Sequence, residues 1–271
     1  MSESNTLAQS EKKKIKIGKE GIEIDKGFFA VNEESIFGDI RTICRGALAK
    51  HKANARRKLY NADKVFEIAS ECMEETPKES LLLPPRNLLL SSFEGIDYTF
   101  EEPVLRIMFE NLLKKAFNVK TANFVHPLFA NIIKNMTPSD AAFFAHLKYG
   151  CEFAVADVVW RSTVHDETII WGFRNLYIDN PSFSDPISNQ LAINVLEHHG
   201  LICVMEDMAV TNYDYERFKK TLIYLGEQEN CKQPNEKDKD LAPFVVEIKP
   251  KVLLLTPFGS CFQNAVMPIC L

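Results

Sequence analysis

The sequence predicts a mainly helical α+β fold, and three observations carry that expectation. Apolar residues recur at helical spacing through most of residues 35–150. After Gly150 the composition shifts to β-branched and aromatic runs such as "FAVADVVWRS" and "ETIIWGF". Proline then marks the starts of two further helical stretches, at Pro186 and Pro257. Period 3.6 and period 2 are distinct signatures, so the change near residue 150 divides the chain into a helical region and an α+β region, 151–271.

Residues 1–34 read as a polar tail with one small hairpin, "IKIGKEGIEI", whose isoleucines flank a glycine-containing turn. From residue 35 to 75 the pattern is helical, and Ala55, Leu59, Ala62 and Phe66 line one face. "RNLLLSSFEGI" predicts a short helix after Pro84 and Pro85. "EEPVLRIMFENLLKKAF" predicts a strong one, with Leu105, Met108, Phe109, Leu112 and Ala116 as its stripe and Lys114 and Lys115 at its negative end. "HPLFANIIKNM" places Phe129, Ile132, Ile133 and Met136 together behind Pro127. In "NMTPSDAAFFAHLKYG", Thr137 can cap the amide of Asp140, Pro138 suits the first helical position and Asp140 faces the positive end of the dipole. The stop and restart sets an angle between two helices, because a residue before proline leaves the helical region.

In the second half, "DPISNQLAINVLEHHGLI" predicts a helix with an Ile187, Leu191, Val195 stripe and Gly200 as a left-handed cap. "LICVM" reads as a strand, "NYDYERFKKTLIYLG" as a helix ending at Gly226 and "ENCKQPNEKDKD" as a loop. "FVVEIKPKVLLLTPFGSCFQNAV" reads as strand, turn, strand and a last helix. A helix ending Gly-Leu-Ile, strands, and "LLLTPFG" opening another helix together predict a winged-helix-like region with a small antiparallel sheet.

Composition bounds the function. The chain has 271 residues with 46% hydrophobic and 25% charged content, as in a packed globular protein. No stretch approaches the roughly 20 apolar residues of a membrane span. The N-terminus has no apolar core behind its charges, so no secretory signal is expected. Seven cysteines, scattered and never spaced C-x-x-C, suit reduced thiols and predict a cytoplasmic protein without a disulfide framework or zinc site.

The formal charge of −5 conceals segregation. Residues 41–64 hold eight bases against Asp63, a local +7, which leaves −12 elsewhere. Arg41, Arg45, Lys50, Lys52, Arg56, Arg57 and Lys58 are therefore the candidate polyanion-binding residues, for nucleic acid or an anionic membrane surface; the competing reading is a solvated face paired with the chain's own acids.

No catalytic signature is present: G-x-S-x-G, a Walker loop, G-x-G-x-x-G and H-E-x-x-H are all missing. No catalytic residue, cofactor or metal is therefore expected. His165, Asp166 and Glu167 are adjacent, which on a strand points them to opposite faces. His198 and His199 fit a helix C-terminus, and Ser260 and Cys261 fit core packing. The would-be recognition helix offers Ser188, Asn189, Gln190, Asn194, Glu197 and His198 without a single Arg or Lys, and residues 185–271 carry twelve acids and eight bases. That face lacks the charge for phosphate neutralisation. An enzyme assembled from distant acids such as Asp207 and Glu247 is the further alternative.

Taken in order, Leu112 and Leu113, then His126, Pro127 and Phe129, then Thr137, Pro138 and Asp140, then Gly200 to Ile202, then Leu255 to Phe262 resemble the abortive infection alpha family of bacteria, over roughly residues 35–266. The resemblance implies a role in defence against phage by an activity the family does not define, and it transfers no catalytic residue. Together these readings predict a non-enzymatic interaction protein whose partner is a protein, such as a second copy in a homodimer, or a polyanion. A winged-helix DNA-binding regulator is the alternative.

Overall fold

The computed structural model describes residues 76–99, 102–164, 169–232 and 244–267, with Ile17–Gly18, Gly21–Ile22 and scattered positions between 38 and 74. The fold is mixed α+β. The small hairpin is present as β1 (Ile17–Gly18) and β2 (Gly21–Ile22), paired Ile17 to Ile22.

Among the described residues from 76 on, the first four α-helices are α1 (Arg86–Tyr98), α2 (Pro103–Ala116), α3 (Pro127–Lys134) and α4 (Pro138–His146). Prolines begin α2, α3 and α4, where the missing amide has no helical partner to lose. At α4 the predicted capping box is complete. Asp140 N–H donates to Thr137 Oγ1 at 3.2 Å, and Thr137 N–H donates to Asp140 Oδ2 at 2.7 Å. Only Asn135–Thr137 separate α3 from α4, so the cap fixes where one rod stops and the next begins.

The sheet is antiparallel with strand order β4-β3-β6-β5: β3 (Glu152–Ser162), β4 (Ile169–Leu176), β5 (Ile202–Met205) and β6 (Phe244–Leu255). The remaining helices are α5 (Pro186–His198), α6 (Leu222–Lys232) and α7 (Pro257–Val266), with a 3-10 turn at Tyr215–Lys220. Successive strand residues face opposite sides. Val155 joins the large core shared with α1–α5 and α7, whereas Ala156 and Val158 join a smaller one with Leu176, Phe218 and Tyr224. Phe109, Phe117, Phe143, Phe144, Phe218 and Phe262 are fully buried. Each contributes about 1.5–3 kcal/mol by leaving water.

The residues that mark the chain in sequence meet in space. After α5, Gly200 adopts φ 70°, the left-handed region that suits glycine. Gly200 N–H donates to Glu197 O at 2.8 Å and Leu201 N–H to Leu196 O at 2.9 Å, which closes the helix as a Schellman motif. Thr256 then ties this turn to α7. Its N–H donates to Leu201 O at 3.0 Å, its Oγ1 donates to Gly200 O at 2.7 Å and accepts from Gly259 N–H at 2.9 Å. Gly259 has no side chain because the Leu201 carbonyl lies where a Cβ would sit. Phe262 then reaches Phe129 of α3 at 5.2 Å and Phe144 of α4 at 5.4 Å, ring centre to ring centre.

Four expectations are corrected. The α5 stripe Ile187, Leu191, Val195 does not form the core face: Ile187 and Leu191 are each 59% exposed, and Asn189, Ala192, Ile193 and Leu196 are buried instead. Residues 212–226 do not form one helix ending at Gly226. The chain turns at Thr221, and α6 runs through Gly226 to Lys232, taking in the start of the predicted loop. Pro250 does not mark a turn, because β6 is one continuous strand. Side chains cap its outer edge, with Cys231 donating to Phe244 O and Tyr224 OH to Val246 O. By period two the Pro250 nitrogen faces that same edge, beyond the end of β5, so no ladder bond is lost. Lastly, Cys261 is exposed and does not pack in the core.

Candidate functional site

Among the described residues, the densest charge cluster lies on the sheet, around a lysine. Lys251 on β6 and Asp157 on β3 are both fully buried, with Lys251 Nζ 2.6 Å from Asp157 Oδ2. That oxygen receives no hydrogen bond of acceptable geometry, so its compensation is Coulombic. Asp157 Oδ1 accepts from Asn175 N–H at 2.8 Å. The register between β3 and β4 slips between Ala156 and Val158, and Asn175 takes φ 54° there. The bulge turns a backbone amide away from the ladder and onto the carboxylate.

Glu206, on the turn after β5, completes the cluster. Its Oε1 lies 2.6 Å from Lys251 Nζ and 3.1 Å from Arg174 Nη2, and its Oε2 lies 3.7 Å from Lys249 Nζ. The Lys251 hydrogen bond, aided by the charges of Lys251, Arg174 and Lys249, outweighs desolvation and holds the Glu206 carboxyl below the usual carboxylate range. Lys249 also pairs with Asp207 at 2.9 Å, which raises its pKa. The Trp171 ring lies 4.9 Å from the Arg174 guanidinium and 5.6 and 5.8 Å from the Lys249 and Lys251 ammonium groups. These are cation–π distances.

A second polar cluster sits at the end of α4. His146 Nε2 is 2.8 Å from Tyr177 OH, and His146 Nδ1 is 3.4 Å from Asn180 Nδ2. Burial and Lys148 lower the His146 pKa against the pull of Asp179, and burial pushes Tyr177 up to about 12. Nearby, a cleft of about 240 Å³ opens between the starts of α4 and α5, lined by Ser139, Ser182, Phe183, Asp185 and Ser188 among others. Asp185 is used there as the N-cap of α5 and accepts from Ser188 Oγ at 2.5 Å.

The sequence-predicted positions fare as follows. Arg41, Arg45, Lys50, Lys52, Arg56, Arg57 and Lys58 lie outside the described residues, as do His165, Asp166 and Glu167. His198 ends α5 and His199 is its C-cap; burial and the neighbouring His198 lower the His199 pKa. Asn189, expected on the polar face of α5, is buried and donates to Phe183 O at 2.7 Å. Asp207 and Glu247 each hold a cation, Lys249 and Arg161 respectively. Among the described residues no group of three or more His, Cys, Asp or Glu side chains could hold a metal ion. No described helix is long and apolar enough to cross a membrane.

Sequence reasoning missed Lys251, Asp157, Glu206 and Arg174. A signal existed: Asp157 is the lone charge in the apolar run 153–160, and Lys251 abuts "VLLL". A charge inside such runs requires a partner.

In comparisons with known proteins, the model of the family described as abortive infection alpha matches residues 56–266. No curated protein matches. One solved structure, an uncharacterized protein from the hydrocarbon-degrading marine bacterium Alcanivorax borkumensis SK2, is 17% identical with a TM-score of 0.35. That match covers 52% of this chain and 93% of the other.

Proposed function

The chain belongs to the abortive infection alpha family, and from that premise we propose that it acts in bacterial defence against phage as a non-enzymatic, cytoplasmic interaction protein. It works through contacts with a protein, which includes a second copy of itself, or with a polyanion. The observation that carries this reading is how the converging charges are used. Lys251, Asp157, Glu206, Arg174, Lys249 and Asp207 pair with one another in a way that ties β3, β4, β6 and the turn after β5 together. The buried Lys251 has its charge balanced by Asp157 and Glu206 inside the fold, so it serves the pairing of the strands first. The +7 segment from residue 41 to 64 is the contact surface, and phosphate or acidic surfaces are its natural partners.

The test is phage challenge of cells expressing the wild-type chain or the Arg56→Glu, Arg57→Glu double variant. The wild type is expected to lower plating efficiency, and the double variant to lose that protection while keeping its circular dichroism spectrum. Unchanged phage growth in every strain would overturn the proposal.

A winged-helix DNA-binding regulator is the second reading, favoured by the antiparallel pairing of β5 and β6 between α5 and α7, although α6 is inserted between the two strands. It is the weaker one. The outward side of α5 shows Ile187 and Leu191 and no Arg or Lys, so its phosphate attraction is poor. Mobility shift with duplex DNA at two salt concentrations separates the two readings. Binding that falls steeply with salt and survives Arg56→Glu, Arg57→Glu supports the regulator.

A further inference from the structure

Glu206 is placed as a ligand would be. Its carboxylate faces three cations from two strands: Arg174 on β4, and Lys249 and Lys251 on β6. The buried Lys251 and Asp157 are fixed in strand centres, whereas the Glu206 side chain is 45% exposed and stands on a turn that Asp207 enters with φ 61°. The fit is also incomplete. Lys251 and Arg174 converge on one oxygen, Oε1, while Oε2 is 3.7 Å from Lys249, beyond hydrogen-bond reach. Asp157 and Asp207 partner Lys251 and Lys249 from the side, and the position in front of all three cations is filled by only two carboxylate oxygens, whereas a tetrahedral oxyanion has an oxygen for each.

We propose that Arg174, Lys249 and Lys251 form a phosphate-binding site beside Trp171, in which the chain's own Glu206 holds the place of the phosphate. Counting these three cations against Asp157, Glu206 and Asp207, the cluster is neutral with Glu206 in place and +1 once it swings out. A phosphate that enters restores the lost negative charge. The hydrogen bond from Lys251 keeps Glu206 ionised, so the internal carboxylate competes at neutral pH. The phosphate is free in solution or carried on a nucleotide whose base lies against Trp171, which is 44% exposed. This site is separate from the basic segment invoked above, so its test and the phage challenge with Arg56→Glu, Arg57→Glu can fail independently.

Calorimetric titration of the full chain with inorganic phosphate and with adenosine monophosphate tests the proposal. Glu206→Gln removes the internal competitor at an exposed position, and it is expected to bind phosphate at least about tenfold more tightly than the wild type. Adding Lys249→Ala to Glu206→Gln is expected to cancel that gain. A further gain of about tenfold for the nucleotide over phosphate, lost in Trp171→Phe, identifies the nucleotide as the source; equal binding identifies free phosphate. With circular dichroism unchanged, equal affinity of wild type and Glu206→Gln, or no heat from either at millimolar ligand, would overturn the proposal.

Discussion

Replacing Gly259 by alanine tests the junction of α5, α7 and the sheet at its tightest point. An added Cβ would lie 1.9 Å from the Leu201 carbonyl oxygen, 2.8 Å from its carbon and 2.9 Å from Leu255 Cδ1. The obstacle is backbone, so no rotamer change relieves it. Moving from 1.9 Å to ordinary contact at 3.4 Å requires α7 and the Leu201 turn to part by about 1.5 Å. That displacement breaks the bonds Leu201 O receives from Thr256 N–H at 3.0 Å and Thr256 Oγ1 at 3.1 Å, each worth about 1 kcal/mol. It also shifts the fully buried Phe262 against Phe129 and Phe144, a repacking cost of about 1–3 kcal/mol. Better helix propensity returns about 1 kcal/mol. The expected net loss is about 2–4 kcal/mol, read by urea unfolding followed at 222 nm. Gly226→Ala is the control. Gly226 lies inside α6 with open space at its Cβ, and the change should stabilise by about 0.5–1 kcal/mol. Equal stability of Gly259→Ala and wild type would refute the reasoning.

Three further outcomes are expected. Thr137→Ala removes one half of the capping box and should cost about 1 kcal/mol in the same unfolding assay. Lys251→Met leaves the Asp157 carboxylate buried without its ammonium and should cost about 3–5 kcal/mol, most of it recovered when Asp157→Asn is added. For Glu206 the folded pKa lies below the ordinary 4.5, so its contribution is fully present above that value and is lost as pH falls through the lower folded value. Unfolding across that acidic window should show Glu206→Gln with a shallower acid loss than the wild type.

Helix starts were legible because their causes are local. Thr137 with Asp140, Asp185 before Pro186, and Thr256 before Pro257 each satisfy backbone amides within a single turn. The face that α5 buries was not legible, since two periodic stripes coexist in it. Ile187 and Leu191 are the more apolar pair, but Ala192 with Ile193 and Leu196 form the packed one. Pro250 and Gly226 misled for a shared reason. Each breaks regular structure only where its environment makes a demand, and Pro250 lies past the end of β5 while Gly226 sits with open space at its Cβ. Asp157 and Lys251 each signalled a need for a partner, but which partners they take was not legible, because the members come from β3, β4, β6 and a turn and strand register brings them together. The family-marking residues were found as a series in order. Their physical role, three helices meeting at Phe129, Phe144 and Phe262 beneath the Thr256 tie, required the coordinates.

Native-state hydrogen exchange of the full chain tests that role most directly. The amides of Asp140, Leu201, Thr256 and Gly259 donate within this junction and should exchange only through global unfolding, with protection matching the stability measured in urea. Exchange at these four positions through local opening, while the strand centres stay protected, would contradict the account.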